Sequence, residues 1–232
     1  MKKALCTTVG LVALAAAAQT HAAQNTTAKT GFYVGGNAGW SIASSPSTDT
    51  VKGAYSTIPG VSVSSVDQSK YNYAWGINIG FNYALDPHWM VGFEVGREAF
   101  GHGNYGISGA VQGIPVNADM SLDSDGIQGM FTGTYVASNG FNAFAKVGAI
   151  YESTTFDDIS IAGQSVADTT NKKLIPAAAI GVGYMPIQNL NVVLQYEHTF
   201  GANYNDVNTL ATTNKPMTQD VITLGVNYTL PM

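Results

Sequence analysis

Eight stretches of this chain alternate large apolar residues with small or polar ones at period two, and the connections between them are alternately short and long. The clearest stretch is Tyr71 to Tyr83. Tyr71, Tyr73, Trp75, Ile77, Ile79, Phe81 and Tyr83 fall on one face, and Asn72, Ala74, Gly76, Asn78, Gly80 and Asn82 on the other. Only an extended strand separates residues this way; an amphipathic helix repeats every 3.6 residues. The same alternation, looser in places, marks Phe32 to Trp40, Trp89 to Arg97, Ile127 to Tyr135, Phe141 to Tyr151, Leu174 to Tyr184, Val192 to Phe200 and Ile222 to Leu230. Each is about nine to thirteen residues long, against the ~9 to 11 that a tilted strand needs to cross hydrocarbon.

Charged residues make up 11% of the chain and glycine contributes 26 residues, far from the roughly 25% charge of ordinary soluble domains. A soluble sandwich would bury the apolar face and charge the other, yet here the second face is small and nearly uncharged. Inversion accounts for both: bulky residues face lipid, small polar ones fill a narrow lumen, and closure removes edges that lipid cannot hydrogen-bond. The connections agree. Asp86-Pro87-His88, Ser138-Asn139-Gly140 and residues 185–190 are short, whereas residues 43–70, 98–126, 152–173 and 201–220 are long. The expected fold is all-β: an eight-stranded antiparallel up-and-down transmembrane β-barrel with long extracellular loops and short periplasmic turns. Phe32, Tyr83, Trp89, Tyr135, Phe141, Tyr184 and Tyr228 toward the turns, and Trp40, Tyr71, Tyr151, Tyr196 and Phe200 toward the loops, imply two interfacial girdles.

Lys2 and Lys3 precede an apolar run from Ala4 to Ala18, and Thr20 and Ala22 flank His21 as a cleavage site requires. Residues 1–22 therefore read as a secretory signal peptide, 23–30 as a short periplasmic segment and 31–232 as the barrel. Cys6, the lone cysteine, lies in the signal, which leaves no disulfide and no cysteine metal site. Loss of two lysines takes the formal charge from −5 to −7, which argues against a nucleic-acid partner. No cofactor or metal is called for. Gly101-His102-Gly103-Asn104-Tyr105-Gly106 matches a dinucleotide pattern by letter, but it sits in a long loop without the strand and helix that pattern needs. Asp123-Ser124-Asp125-Gly126 begins like a calcium loop and lacks the later ligands.

Gly31-Phe32-Tyr33-Val34-Gly35-Gly36-Asn37-Ala38-Gly39-Trp40-Ser41, Phe144-Ala145-Lys146-Val147-Gly148-Ala149, Ala179-Ile180-Gly181-Val182-Gly183-Tyr184 and Leu194-Gln195-Tyr196-Glu197-His198-Thr199-Phe200-Gly201, in that order, resemble the small outer-membrane β-barrels of the OmpA transmembrane-domain and opacity-protein type. The resemblance implies a Gram-negative outer membrane and handling by the barrel-assembly machinery. It also implies a terminal aromatic, where this chain has Leu230 followed by Pro231-Met232. No peptidoglycan-binding domain follows the barrel, so a cell-wall tether is not implied.

Glu94, Lys146 and Glu197 fall on the polar face about five or six residues above their turns, hence at one level. Lys146 is expected to pair with both acids, with Asn78, Thr132 and Gln195 adding hydrogen bonds. This constellation is a structural plug or, alternatively, a gate. Lys70, Arg97, Lys172, Lys173 and Lys215, with Lys52 farther out, gather on the loop side, where lipopolysaccharide phosphates would meet them; ordinary solubilising charges explain the placement equally. His198, near Asp220, is a base without a clearly placed serine, so no catalytic set is assigned. Two functions follow. The first is a non-enzymatic, monomeric surface barrel that displays loops for adhesion to a host or phage receptor. The second is a narrow diffusion channel for small polar solutes, favoured by lumen glycines Gly76, Gly80, Gly92, Gly181, Gly183 and Gly225.

Overall fold

Strands with one apolar face and no water at their edges are stable only when the sheet closes. The computed structural model describes residues 26–43, 59–68, 71–161, 164–166, 169–201 and 218–231. Within them lie ten strands: β1 (Gly31–Ala43), β2 (Val61–Gln68), β3 (Tyr71–Ala84), β4 (Trp89–Val111), β5 (Ile114–Val136), β6 (Phe141–Ile161), β7 (Gln164–Val166), β8 (Thr169–Ile187), β9 (Leu190–Thr199) and β10 (Gln219–Thr229). β1 pairs with β3 on one side and with β10 on the other, and the ring continues through β4, β5, β6, β8 and β9. Eight antiparallel strands therefore close an up-and-down barrel. The signal peptide expected over 1–22 lies outside the described residues.

The two faces separate as the alternation requires. On β9, Val193, Gln195, Glu197 and Thr199 are buried while Leu194 and Tyr196 are exposed, as is Phe200 just past its end. Across the barrel the outward face is a belt of large apolar side chains, among them Ile77, Ile79, Phe131, Val147 and Ile180, of an extent that soluble monomers do not show to water. Aromatic pairs ring the turn end: Phe32 with Phe81 at 4.9 Å, Trp89 with Tyr135 at 5.1 Å and Phe141 with Tyr184 at 4.9 Å. The phase also holds through the last strand, where Ile222, Leu224, Val226, Tyr228 and Leu230 all point outward.

The turn end is as short as expected. Asp86 Oδ1 accepts from the backbone N–H of His88 at 2.7 Å and of Trp89 at 2.8 Å, which fixes the β3–β4 turn. Residues 137–140 join β5 to β6, and between β8 and β9 only Gln188 and Asn189 lie outside the strands, a tighter turn than residues 185–190 suggested.

The loop end differs. Residues 98–126 form no open loop: β4 and β5 stay paired from Trp89 opposite Tyr135 to Val111 opposite Ile114. Gln112 and Gly113, with φ of 53° and 81°, close this ribbon as a two-residue turn. Gly101 to Gly106 is thus strand, paired with residues 119–124, and Asp123 to Gly126 belongs to β5, so neither is a ligand loop. β6 likewise runs on to Ile161 with β7 beside it, and β2 pairs with the outer part of β4. Much of what looks like loop by composition is sheet standing beyond the barrel.

Candidate functional site

The inward positions of β6 run Asn142, Phe144, Lys146, Gly148, Ile150 and Glu152, because alternate residues share a face. Lys146 reaches across the lumen to Glu94 of β4, with Nζ 2.8 Å from Oε1 and 3.0 Å from Oε2. The Glu94 carboxylate also accepts from Tyr33 Oη at 2.7 Å and from Asn78 Nδ2 at 2.7 Å. Three donors from three strands therefore hold one carboxylate that is 1% exposed. Such charge-assisted bonds offset the cost of taking both charges out of water. Phe144 supports the cation, its ring centroid 5.4 Å from Nζ.

Glu197 does not complete this set. It accepts from Gln195 Nε2 at 3.0 Å and meets Glu98 carboxyl to carboxyl, while Asn37 Nδ2 reaches Glu98 Oε1 at 3.4 Å. By hydrogen bonding the expected triad is two groups, Glu94 with Lys146, Tyr33 and Asn78, then Glu197 with Gln195 and Glu98, and the Lys146 charge acts on Glu197 and Glu98 without bonding them. A third polar group occupies the loop side, where Ser124 Oγ and Gln219 Nε2 donate to Glu152. Buried Phe100, Met130, Ile150, Ile175, Ala177, Ala74 and Val221 form an apolar cluster in the same interior. Neither Glu98 nor Glu152 was singled out from sequence. Each lies one residue past the alternation as read, although both keep the inward parity of Glu94 and Lys146.

Two of the lumen glycines, Gly80 and Gly181, have a different role from the one that favoured a channel. Gly80 is opposite Tyr33 and Gly181 opposite Phe144, and a Cβ at either would run into the facing ring. They admit inward aromatics rather than leave water-filled space. Near the turn end lies a cavity of about 50 Å³, lined by Glu94, Lys146, Tyr33, Thr132, Asn191 and others, enough for a few waters.

At the loop end, Arg97 points outward and its Nη2 bonds Asp125 Oδ2 at 2.9 Å. Lys172 is exposed, with the outward parity of Leu174. Lys173 has the inward parity and stands opposite Glu152 in the β6–β8 register. Lys52, Lys70 and Lys215 lie outside the described residues. His198 Nδ1 is 2.7 Å from Asp220 Oδ1, to which Tyr196 Oη also donates at 2.6 Å. The residues facing His198 across the sheet are Ala178 and Asp220. Among the described residues, no group of three or more His, Cys, Asp or Glu side chains is arranged to hold a metal ion.

The family profile described as outer membrane protein beta-barrel domain matches residues 9–229. The chain belongs to this outer-membrane β-barrel family. Membership places it in the outer membrane of a Gram-negative cell. A relative, an uncharacterized protein of Coxiella burnetii, is 27% identical over 229 residues, covering 88% of this chain and 87% of that one. Similar solved structures include Ail, the attachment invasion locus protein of Yersinia pestis, at 13% identity and TM-score 0.42 over 86% of this chain and 99% of the other. Neisserial surface protein A is similar at 13% identity and TM-score 0.44 over 86% and 97%. OprG of Pseudomonas aeruginosa is similar at 14% identity and TM-score 0.43 over 90% and 100%.

Proposed function

We propose that this barrel is a non-enzymatic, monomeric surface scaffold, exported by its signal peptide, that holds a strand-built platform outside the cell for contact with a host or phage receptor. The observation that carries the reading is the filled lumen. The four-bond grip on Glu94 by Lys146, Tyr33 and Asn78 and the apolar cluster around Met130 and Ile150 occupy the space a solute would need. The turn end then faces the periplasm, and the β4–β5 ribbon with β2 beside it faces out, where connecting segments commonly carry binding functions. Arg97 and Lys172, outward-facing on the loop side, fit contact with lipopolysaccharide phosphates. Leu230, in the outward phase, stands where the assembly machinery reads an aromatic in similar barrels.

A second reading, the narrow diffusion channel, draws on the cavity beside Lys146. Conductance in planar lipid bilayers separates the two. The scaffold reading expects silence from the unaltered refolded barrel and leakage from Lys146→Ala; steady conductance from the unaltered barrel would replace it with the channel.

A further inference from the structure

Thr26 to Thr30, immediately ahead of β1, are not aimed away from the barrel. Thr30 Oγ1 accepts from the N–H of Ala84, at the end of the neighbouring β3, at 3.0 Å. The N–H of Ala28 donates to Pro87 O in the β3–β4 turn at 2.8 Å, and Lys29 Nζ donates to Gln188 Oε1 in the β8–β9 turn at 2.6 Å. The N–H of Thr26 donates to Ser138 O in the β5–β6 turn at 3.2 Å. Around the ring, the β5–β6 turn is diametrically opposite the β1–β10 seam from which the segment leaves. A chain that starts at that seam and bonds the far turn must cross the mouth. Its length suffices: five extended residues reach about 16 Å, and eight strands ~4.8 Å apart at a tilt of ~40° enclose a ring about 16 Å across.

The crossing also covers something. Thr27 and Lys29 line the cavity whose other walls include Glu94, Lys146, Thr132 and Thr134, and Thr26 itself is 3% exposed. We propose that residues 26–30 are a strap that seals the turn-side mouth of the lumen and ties its three turns together. It is a barrier separate from the Lys146 and Glu94 layer, with a sheltered chamber between the two. Two of its bonds use backbone donors, so it can be loosened without touching the strands, because proline has no N–H to give.

The test uses the refolded mature chain, residues 23–232, in lipid, with Thr134→Cys as its only thiol. Thr134 lines the chamber and is buried. With the strap intact, a small charged methanethiosulfonate reagent should label this cysteine slowly. Adding Thr26→Pro and Ala28→Pro should accelerate labelling about ten-fold, as local opening becomes common, while heat-modifiable gel migration stays that of a folded barrel. Equal labelling rates with and without the prolines would overturn the proposal. Should the proline variant fail to insert, amide exchange on the unaltered chain decides. Slow exchange at Thr26 and Ala28 supports the strap, and exchange at the rate of an open peptide rejects it. The amide-exchange readout does not depend on whether the barrel conducts.

Discussion

Tyr33 lies over Gly80 and turns its hydroxyl to Glu94, so one inward residue both fills the space a glycine leaves and supplies a donor to a buried carboxylate. Lys146 supplies the charge. Removing it leaves Glu94 with neutral donors only, in an interior where an uncompensated charge is costly. Lys146→Ala is therefore expected to lose roughly 3 to 5 kcal/mol, read as a lowered urea midpoint for the lipid-refolded barrel. Lys146→Met combined with Glu94→Gln removes both charges and keeps volume, so it should recover most of that loss. If the double variant were as unstable as the single one, the cost would lie in packing against Phe144 rather than in the charge. These two residues were legible because parity along a strand assigns faces without any knowledge of partners. Glu197 shared their parity but not their group, since the distance across a small barrel depends on strand stagger, which one strand's alternation does not carry.

β4 and β5 raise a different question, where a strand stops. Alternation within the membrane is enforced by lipid on one face and lumen on the other. Beyond it both faces of a ribbon can be wet, so Gly101 to Val111 pairs fully with its partner while showing no clean apolar stripe. The eight spanning strands were therefore readable and their extensions were not. A signal did exist in Gln112-Gly113, where both residues take positive φ, but glutamine is less common there than the Asn or Asp that marks such turns. Gly113, at φ 81°, is the weak point of the ribbon. Gly113→Val forces a β-branched side chain into that conformation at a cost of order ~1–3 kcal/mol. Hydrogen exchange should show protected amides along residues 103–111 in the unaltered protein and faster exchange there in Gly113→Val, with the spanning part of β4 unchanged. Uniformly fast exchange in the unaltered protein would return this segment to an open loop.

For the molecule as a whole, the barrel and its outer ribbon differ in solvent rather than in exposure. Phe131 is 66% exposed and Ile114 is 68% exposed, yet Phe131 sits midway along the spanning part of β5, opposite Phe93 and Val147, whereas Ile114 begins β5 at the ribbon tip. Accessible area alone cannot separate them. If the barrel is embedded as its belt requires, Phe131→Arg places a charge near the bilayer midplane, at a cost of about 2–4 kcal/mol. Ile114→Arg places the same charge in water and should stay within about 0.5 kcal/mol of the parent. Both variants are compared by reversible unfolding from phospholipid vesicles, with heat-modifiable migration reporting closure of the ring. A large loss at Phe131 with none at Ile114 puts the water boundary between the two ends of β5, and stepping the arginine along alternate outward positions would locate it. Equal losses would mean that the ribbon is buried too, against lipid or against a partner, and the platform reading would then have to give up its aqueous face.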